Sequence, residues 1–266
     1  YMNIPLGHIQ GGEVSGNIDE KVRHSITKLA DYHFVSSKEA QNRVLRLGEN
    51  PNNVFNTGCP SIDLAKEVVD NPNLNFDPYL KYGGVGKRPD LSKGYIVVMQ
   101  HPVTNEYELS RVHIEETLRA FDGIDHPVLW FWPNVDAGAD GTSTGIRAYR
   151  ENHGLANMHF FKNMEGSDFL KLLTNSKCLV GNSSVGIREC CYLGVPLVNI
   201  GTRQNGRDRG TNVIDTDYSA EQIKKAIREW EARPRPEKSN LYGTGNAGVV
   251  ISNLLAEVDL IFHKTI

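Results

Sequence analysis

Residues 178–201 read CLVGNSSVGIRECCYLGVPLVNIG, and two apolar runs of strand length, CLVGNS from Cys178 and PLVNIG from Pro196, enclose a short polar turn. The turn holds two adjacent hydroxyls, a glycine and a charged pair, and then the neighbouring Cys190 and Cys191 in a segment of helical character. Continuous apolar strands joined through a helix are the pattern of a parallel sheet buried on both faces. The same rhythm extends in both directions. YHFVSS (32–37), VFNTG (54–58), YIVVMQH (95–101), VLWFWPN (128–134) and MHFFK (158–162) read as further strands. Between them and after them lie the amphipathic segments IDEKVRHSITKLADY, EAQNRVLRLG, ELSRVHIEETLRAF, GSDFLKLLTNS and AEQIKKAIREWEAR. The fold class is therefore α/β, doubly wound.

Residues 70–94, rich in Asn, Pro, Gly and Lys, break the rhythm and read as an interdomain connection. About three strand–helix units precede it, too few for a complete sheet domain, whereas residues 94–240 supply a full set. The chain also opens on what reads as the end of a strand, YMNIPLGHIQGG, with no initiator or signal peptide, so the first domain is expected to be truncated. The expected division is residues 1–85 as a partial amino-terminal domain and linker, 86–245 as a nucleotide-binding domain, and 246–266 as a closing helix. In that helix Val249, Val250, Leu254, Val258 and Ile261 fall at helical spacing and are expected to pack.

With 266 residues, 39% hydrophobic and 23% charged content and a net charge of -3, the chain has no field that argues for nucleic acid. Its longest apolar runs are strand-sized, far below the ~20 residues that span a bilayer. Four cysteines without C-x-x-C spacing fit a reducing cytoplasm. No His/Cys/Asp cluster has metal-ligand spacing, so neither metal nor cofactor is expected.

In an open parallel sheet, ligands sit beyond the carboxyl ends of the strands, where amide donors of the next helix point outward. Ser183, Ser184 and Gly186 fall there and suit a diphosphate; Glu189, a turn and a half further, suits a ribose diol. A simple capped helix with Glu189 on its solvated face is the alternative reading. The loop GTRQNGRDRGTN (201–212) brings three arginines to the same edge, where guanidinium forks match phosphate oxygens; a solvated basic loop is the alternative. His101 ends another strand at this edge, and a satisfied core histidine is its alternative reading.

Together with GHIQGGEVSGNIDEKVRHSITKLADYHF, NTGCPSID, MQHPVTNE, WPNVDAG and YGTGNA, these stretches make the sequence resemble the hydrolysing UDP-N-acetylglucosamine 2-epimerases. The resemblance implies a glycosyltransferase-B-like architecture, two Rossmann-like domains with a UDP-sugar between them, in a homodimer or homotetramer. It also implies that an amino-terminal half-domain carrying a catalytic aspartate and an arginine lies outside this chain. His101 matches the family's diphosphate-contacting histidine, Asn134 a sugar or phosphate contact, and Ser183 and Ser184 the phosphate-binding serines. Glu189 matches the glutamate that holds uridine ribose, Arg203 a ligand-binding arginine, and Met164 is counted with the substrate contacts. Asp19 matches a carboxylate with an acid–base role; as a helix first-turn residue it would otherwise be read as stabilising the macrodipole.

One departure stands out. Relatives place a glutamate or histidine third in the H-x-x-G-G segment, and here it is Gln10, which exchanges no protons at neutral pH. Proton transfer then moves to Glu13, Asp19 or the half outside the chain. The implied reaction is elimination of UDP across C1–C2 to a 2-acetamidoglucal, then hydration with inversion at C2. His101, Arg203 and the serine turn would stabilise the departing diphosphate. Alternatives are a 2,4-diacetamido sugar as substrate, a glycosyltransferase of the same fold, or a binding module without catalysis. Arg147 and Arg150 resemble arginines that bind the feedback inhibitor CMP-sialic acid in animal relatives, although arginines three apart on a helix are ordinarily solvated.

Overall fold

The computed structural model describes residues 4–15, 18–134, 137–153, 157–259 and 264. The chain begins with β1 (Gly7–Ile9), α1 (Ile18–Leu29), β2 (Tyr32–Val35), α2 (Lys38–Arg46), β3 (Val54–Asn56) and α3 (Pro60–Asp70). The strands form a parallel sheet in the order β1-β2-β3, with His8 opposite His33 in the register. α2 starts where Ser37, in extended conformation, accepts a hydrogen bond from the Ala40 N–H. Among the described residues β1 lies at the edge of this sheet, and Ile4, Leu6 and Ile9 around it are exposed.

A larger sheet follows, built from α4 (Pro78–Tyr82), β4 (Val85–Gly86), β5 (Ile96–Met99), α5 (Ser110–Ala120), β6 (Val128–Phe131), α6 (Ala139–His153), β7 (Met158–Phe161) and α7 (Gly166–Thr174). It continues through β8 (Cys178–Gly181), α8 (Ser184–Ile187), α9 (Glu189–Leu193), β9 (Leu197–Ile200), β10 (Val213–Thr216) and α10 (Ala220–Ala232), and α11 (Ala247–Glu257) ends the described elements. Its strand order is β10-β9-β8-β5-β6-β7-β4, parallel except for β4.

Both faces of this sheet are covered, which is why its strands are apolar without alternation. Val97, Leu129, Phe161, Leu179 and Leu197 point to one face, where α3, α7 and α9 pack. Ile96, Val98, Trp130, Phe160, Val180 and Val198 point to the other, against α5 and α10. At about 1.5–3 kcal/mol for each fully buried large side chain, these two layers dominate the stability. The strands and helices expected from periodicity are present, and the α/β class holds.

Several elements differ from expectation. Residues 70–94 are not featureless: Asp77 caps α4 by accepting from Tyr79 N and Leu80 N, and β4 pairs antiparallel with β7. That pairing is fixed by His159, whose two ring nitrogens lie 2.7 Å from the Lys87 carbonyl and 2.8 Å from the Gly83 carbonyl. α3 already packs on the larger sheet's helices, while α11 returns to Tyr32 and Phe34 of the first sheet. In α11 Ala247 and Ile251 are buried, and Leu254 and the following Val258 pack partly buried against the first sheet as expected, whereas Val249 is exposed; Asp63 accepts from the Ala247 and Gly248 N–H groups at the helix start. Ile261 lies outside the described residues. No described helix is long and apolar enough to cross a membrane.

Candidate active site

The chain runs from β5 outward through β6 and β7, then returns to place β8 on the other flank of β5. The end of β5 is therefore a topological switch point, the place at the carboxyl edge where ligands of open α/β sheets bind. Gly181, opposite Met99, has φ 141°, and a Cβ there would stand 2.0 Å from the Met99 carbonyl oxygen; only glycine lets β8 turn away at this point. Next to it the fully buried Asn182 grips the end of β5. Its Oδ1 accepts from the His101 N–H at 2.7 Å and its Nδ2 donates to the His101 carbonyl at 2.8 Å.

His101 is thereby fixed on both backbone groups, and its ring is fixed as well, because Nδ1 accepts the Asn134 N–H at 3.2 Å. The proton must then sit on Nε2, which makes His101 a neutral donor. Burial, followed by the Arg203 charge, pushes its pKa down to about 4. Arg203 Nη1 and Gln204 Nε2 both donate to the Asn182 carbonyl, at 3.3 and 2.7 Å, so the arginine loop is tied to the same residue that holds His101. Asn134 is exposed, and Met164 is buried in the core beyond β7.

The serine turn differs from a simple helix start. Ser183 adopts an extended N-cap geometry (φ −75°, ψ 142°) but its side chain caps nothing, and the helix it opens has four residues before breaking at Arg188. A helix this short sums little macrodipole, so donors at this turn must come from individual groups. Arg188 supplies one: its Nη2 donates to Ser184 Oγ at 3.3 Å, and its Nε lies 3.6 Å from Glu189 Oε2. Glu189 starts the next helix rather than lying within the first, and it is buried. Its Oε2 has no hydrogen-bond partner among the described residues, as a carboxylate waiting for donors would. Gly186 serves packing. A Cβ there would come within 2.6 Å of Leu197 Cδ1, on the core side of the turn.

Next to Arg188 a cavity of about 280 Å³ opens between the first sheet and the arginine loop. Gln10, Glu13, Asp19 and Arg23 line it from one side, with His8 beside them, and Arg188 and Arg207 line it from the other. Gln10 holds a left-handed backbone (φ 63°) and turns its amide onto Cys59 Sγ at 2.7 Å. Glu13 is buried and engaged: Ser36 Oγ donates to its Oε1 at 2.6 Å, and Arg207 and Arg188 lie 3.4 and 3.8 Å from its Oε2. Arg207 also donates through Nε to the Val14 carbonyl at 2.7 Å, while its buried Nη1 has no partner among the described residues. Arg23 Nη1 donates to the Glu13 carbonyl. Asp19, by contrast, is exposed at the cavity mouth.

Two groups thus emerge, His101–Asn182–Arg203 with the serine turn, and the mixed-charge cavity with Asp19 and Glu13, joined through Arg188. Asn182, Arg188, Arg207 and His8 were not singled out from sequence. Arg188 sits in the charged pair of GNSSVGIRE and Arg207 in the three-arginine loop, so composition pointed to them without saying which would turn inward. Arg147 and Arg150 lie away from this site, over the rings of Trp132 and Phe160 at 6.0 and 5.1 Å. Among the described residues no group of three or more His, Cys, Asp or Glu side chains gathers as a metal site.

Comparison with known proteins adds an independent result. The family model for UDP-N-acetylglucosamine 2-epimerase matches residues 1–256. A Legionella pneumophila protein named UDP-N,N'-diacetylbacillosamine 2-epimerase (hydrolyzing) is 32% identical over 98% of this chain and 66% of its own length. The UDP-N-acetylglucosamine 2-epimerase of Neisseria meningitidis is 32% identical over 84% of this chain and 56% of its own. The chain therefore spans less than two thirds of these relatives. Among solved structures, the Neisseria meningitidis enzyme bound to UDP-GlcNAc matches with a TM-score of 0.74 at 16% identity, over 96% of this chain and 70% of that one. The Methanocaldococcus jannaschii enzyme, in complex with UDP-GlcNAc and UDP, matches equally at 0.74 and 17% identity, over 95% of this chain and 69% of that one, which supports the glycosyltransferase-B-like fold. From the match along nearly its whole length, the chain belongs to the UDP-N-acetylglucosamine 2-epimerase family.

Proposed function

We propose that this chain binds a UDP-2-acetamido sugar in the crevice between β5 and β8 and serves a hydrolysing 2-epimerase, releasing UDP and the C2-inverted free sugar. The observation that carries the reading is the convergence of a neutral His101 donor, Arg203 and the Ser183–Ser184 turn at one sheet edge, contiguous through Arg188 with a cavity of sugar size. The diphosphate lies against His101 Nε2–H and the serine turn, and Glu189 accepts from the ribose hydroxyls with Oε2, which is ion-paired to Arg188 but takes no hydrogen bond among the described residues. The 2-acetamido sugar enters the charged cavity.

As the C1–O bond lengthens, negative charge grows on the departing diphosphate, and His101, Arg203 and Arg188 offset it as donors. Loss of the C2 proton gives the 2-acetamidoglucal. Water then adds, its hydroxyl going to C1 and a proton to C2, with Asp19 at the cavity mouth relaying that proton. Glu13 holds Arg188 and Arg207 in place and takes no proton itself. With N-acetylglucosamine as the sugar the product is N-acetylmannosamine, a sialic acid precursor. The Legionella relative, matched over 98% of this chain, favours a second reading with an acetamido group also at C4. The domain division at residues 85 and 245, a homodimer or homotetramer and a cytoplasmic setting belong to the same proposal; all four cysteines are free and buried, in keeping with a reducing compartment.

The test is to supply the intact protein with UDP-N-acetylglucosamine or its 2,4-diacetamido counterpart, with no acceptor present, and to follow products by NMR. UDP and a C2-inverted free sugar are expected. UDP release that depends on an added acceptor would replace this reading with glycosyl transfer.

A further inference from the structure

Inversion at C2 requires one group to remove a proton and another to see one delivered on the opposite face. Of the residues lining the cavity, arginines stay charged and Gln10 cannot exchange protons. Glu13 is tied down by Ser36, Arg188 and Arg207. Asp19 is one remaining candidate. The other is His8.

We propose that His8 is the general base that takes the C2 proton of the sugar, through Nε2. The inference rests on the epimerase reading above. Its ground is the seat of the ring: Thr27 Oγ1, which lies 3.0 Å from the Arg23 carbonyl, stands 3.2 Å from His8 Nδ1, so that nitrogen is engaged on the α1 side. A lone pair on Nε2, with the hydrogen on Nδ1, is the tautomer the proposal requires, the reverse of His101. The ring is seated as well. Gly11 leaves room for it, since a Cβ there would lie 2.9 Å from Nδ1, and β1 carries the imidazole to the cavity wall.

The groups facing His8 are His33 on β2, Arg23 and Thr27 on α1, and Asp19 at the mouth. Burial, then His33 and Arg23, lower its pKa to about 4, so it is unprotonated throughout the neutral range. A base this weak suits a C2–H bond acidified by prior loosening of the C1–O bond. The C2–H electron pair forms the C1=C2 double bond, the C1–O pair leaves with UDP, and the proton goes to Nε2. The imidazolium then releases that proton to solvent, which accounts for the proton liberated when a UDP-sugar is hydrolysed at neutral pH.

The experiment uses the intact protein with UDP-N-acetylglucosamine and its C2-deuterated form. His8→Asn keeps a donor for Thr27 but has no base at the Nε2 position; kcat should fall by roughly a hundredfold or more with UDP affinity within about twofold of wild type. Added imidazole should restore part of the turnover of His8→Ala, which a merely structural role would not allow. His8→Asn activity within about threefold of wild type would overturn the proposal, leaving the epimerase reading intact. Wild-type protein that binds UDP but releases none from the nucleotide sugar would instead overturn both. Independently of turnover, ¹⁵N NMR of the wild type should find Nε2 unprotonated, and a protonated Nε2 would refute the assignment even if the variants fail to fold.

Discussion

Replacing Asn182 with alanine tests the centre of the site. Asn182 has no exposed surface, and its amide closes two hydrogen bonds, 2.7 and 2.8 Å long, on the backbone N–H and carbonyl of the buried His101. The substitution orphans both groups. Each unsatisfied buried backbone group costs about 1–3 kcal/mol, so the expected loss of stability is about 2–6 kcal/mol, in the lower half if water enters the space left by the amide. A domain with more than about 6 kcal/mol of the usual 5–15 kcal/mol of stability would still fold at 25 °C. The end of β5 would, however, lose its anchor, and His101 would no longer be held with Nε2 presented to the crevice. Loss of one well-placed donor to a diphosphate, about 1.4 kcal/mol, corresponds to a tenfold weaker UDP affinity. Urea unfolding followed by tryptophan fluorescence measures the first effect, and calorimetric titration with UDP the second. A destabilisation below about 1 kcal/mol together with unchanged UDP affinity would refute the claim that Asn182 organises the site.

Three further outcomes are expected. Gly186→Ala should destabilise the protein by about 1–3 kcal/mol through overpacking against Leu197 while UDP affinity is largely kept; undiminished thermal stability would refute the packing role. Glu13→Gln removes the carboxylate that faces Arg188 and Arg207, and breaking a buried pair from one side should cost about 3–5 kcal/mol of stability, measured by urea unfolding; a neutral result would mean the arginines are held by other groups. His8 and His101 both have folded pKa values near 4, below the unfolded value of 6.5, so as pH falls below 6.5 the unfolded chain binds protons that the native one refuses. Stability should therefore decline from pH 6.5 to about 4, on the order of 3 kcal/mol for each histidine, and a flat urea midpoint between pH 6.5 and 4.5 would contradict the burial of both histidines.

The strands were legible because both faces of the larger sheet are covered, so burial wrote itself into uninterrupted runs such as IVVM and VLWF. Elements that lack such a signature were missed. β10 is an edge strand with mixed burial, β4 is two residues long and held by a histidine about 70 residues away, and α3 read as a motif, NTGCPSID, before it read as a helix. The turn after Cys178 was legible as a site but not in its form. Periodicity suggested one helix with Glu189 inside it, whereas the helix breaks at Arg188, whose guanidinium turns inward between Ser184, Glu189 and Glu13.

Local sequence alone determined the α/β class, the strand and helix alternation, and the sheet edge at which His101, Ser183, Ser184 and Arg203 emerge, because these depend on periodicities of two and 3.6 and on strand-end position. Only the tertiary structure decided which side chains share the cavity, since His8, Arg188 and Arg207 come from distant stretches of chain and meet through the packing of two sheets. Tautomers belong to that second level too. Which nitrogen of His101 keeps its proton is set by the Asn134 N–H, a partner that the fold supplies and that no local spacing encodes.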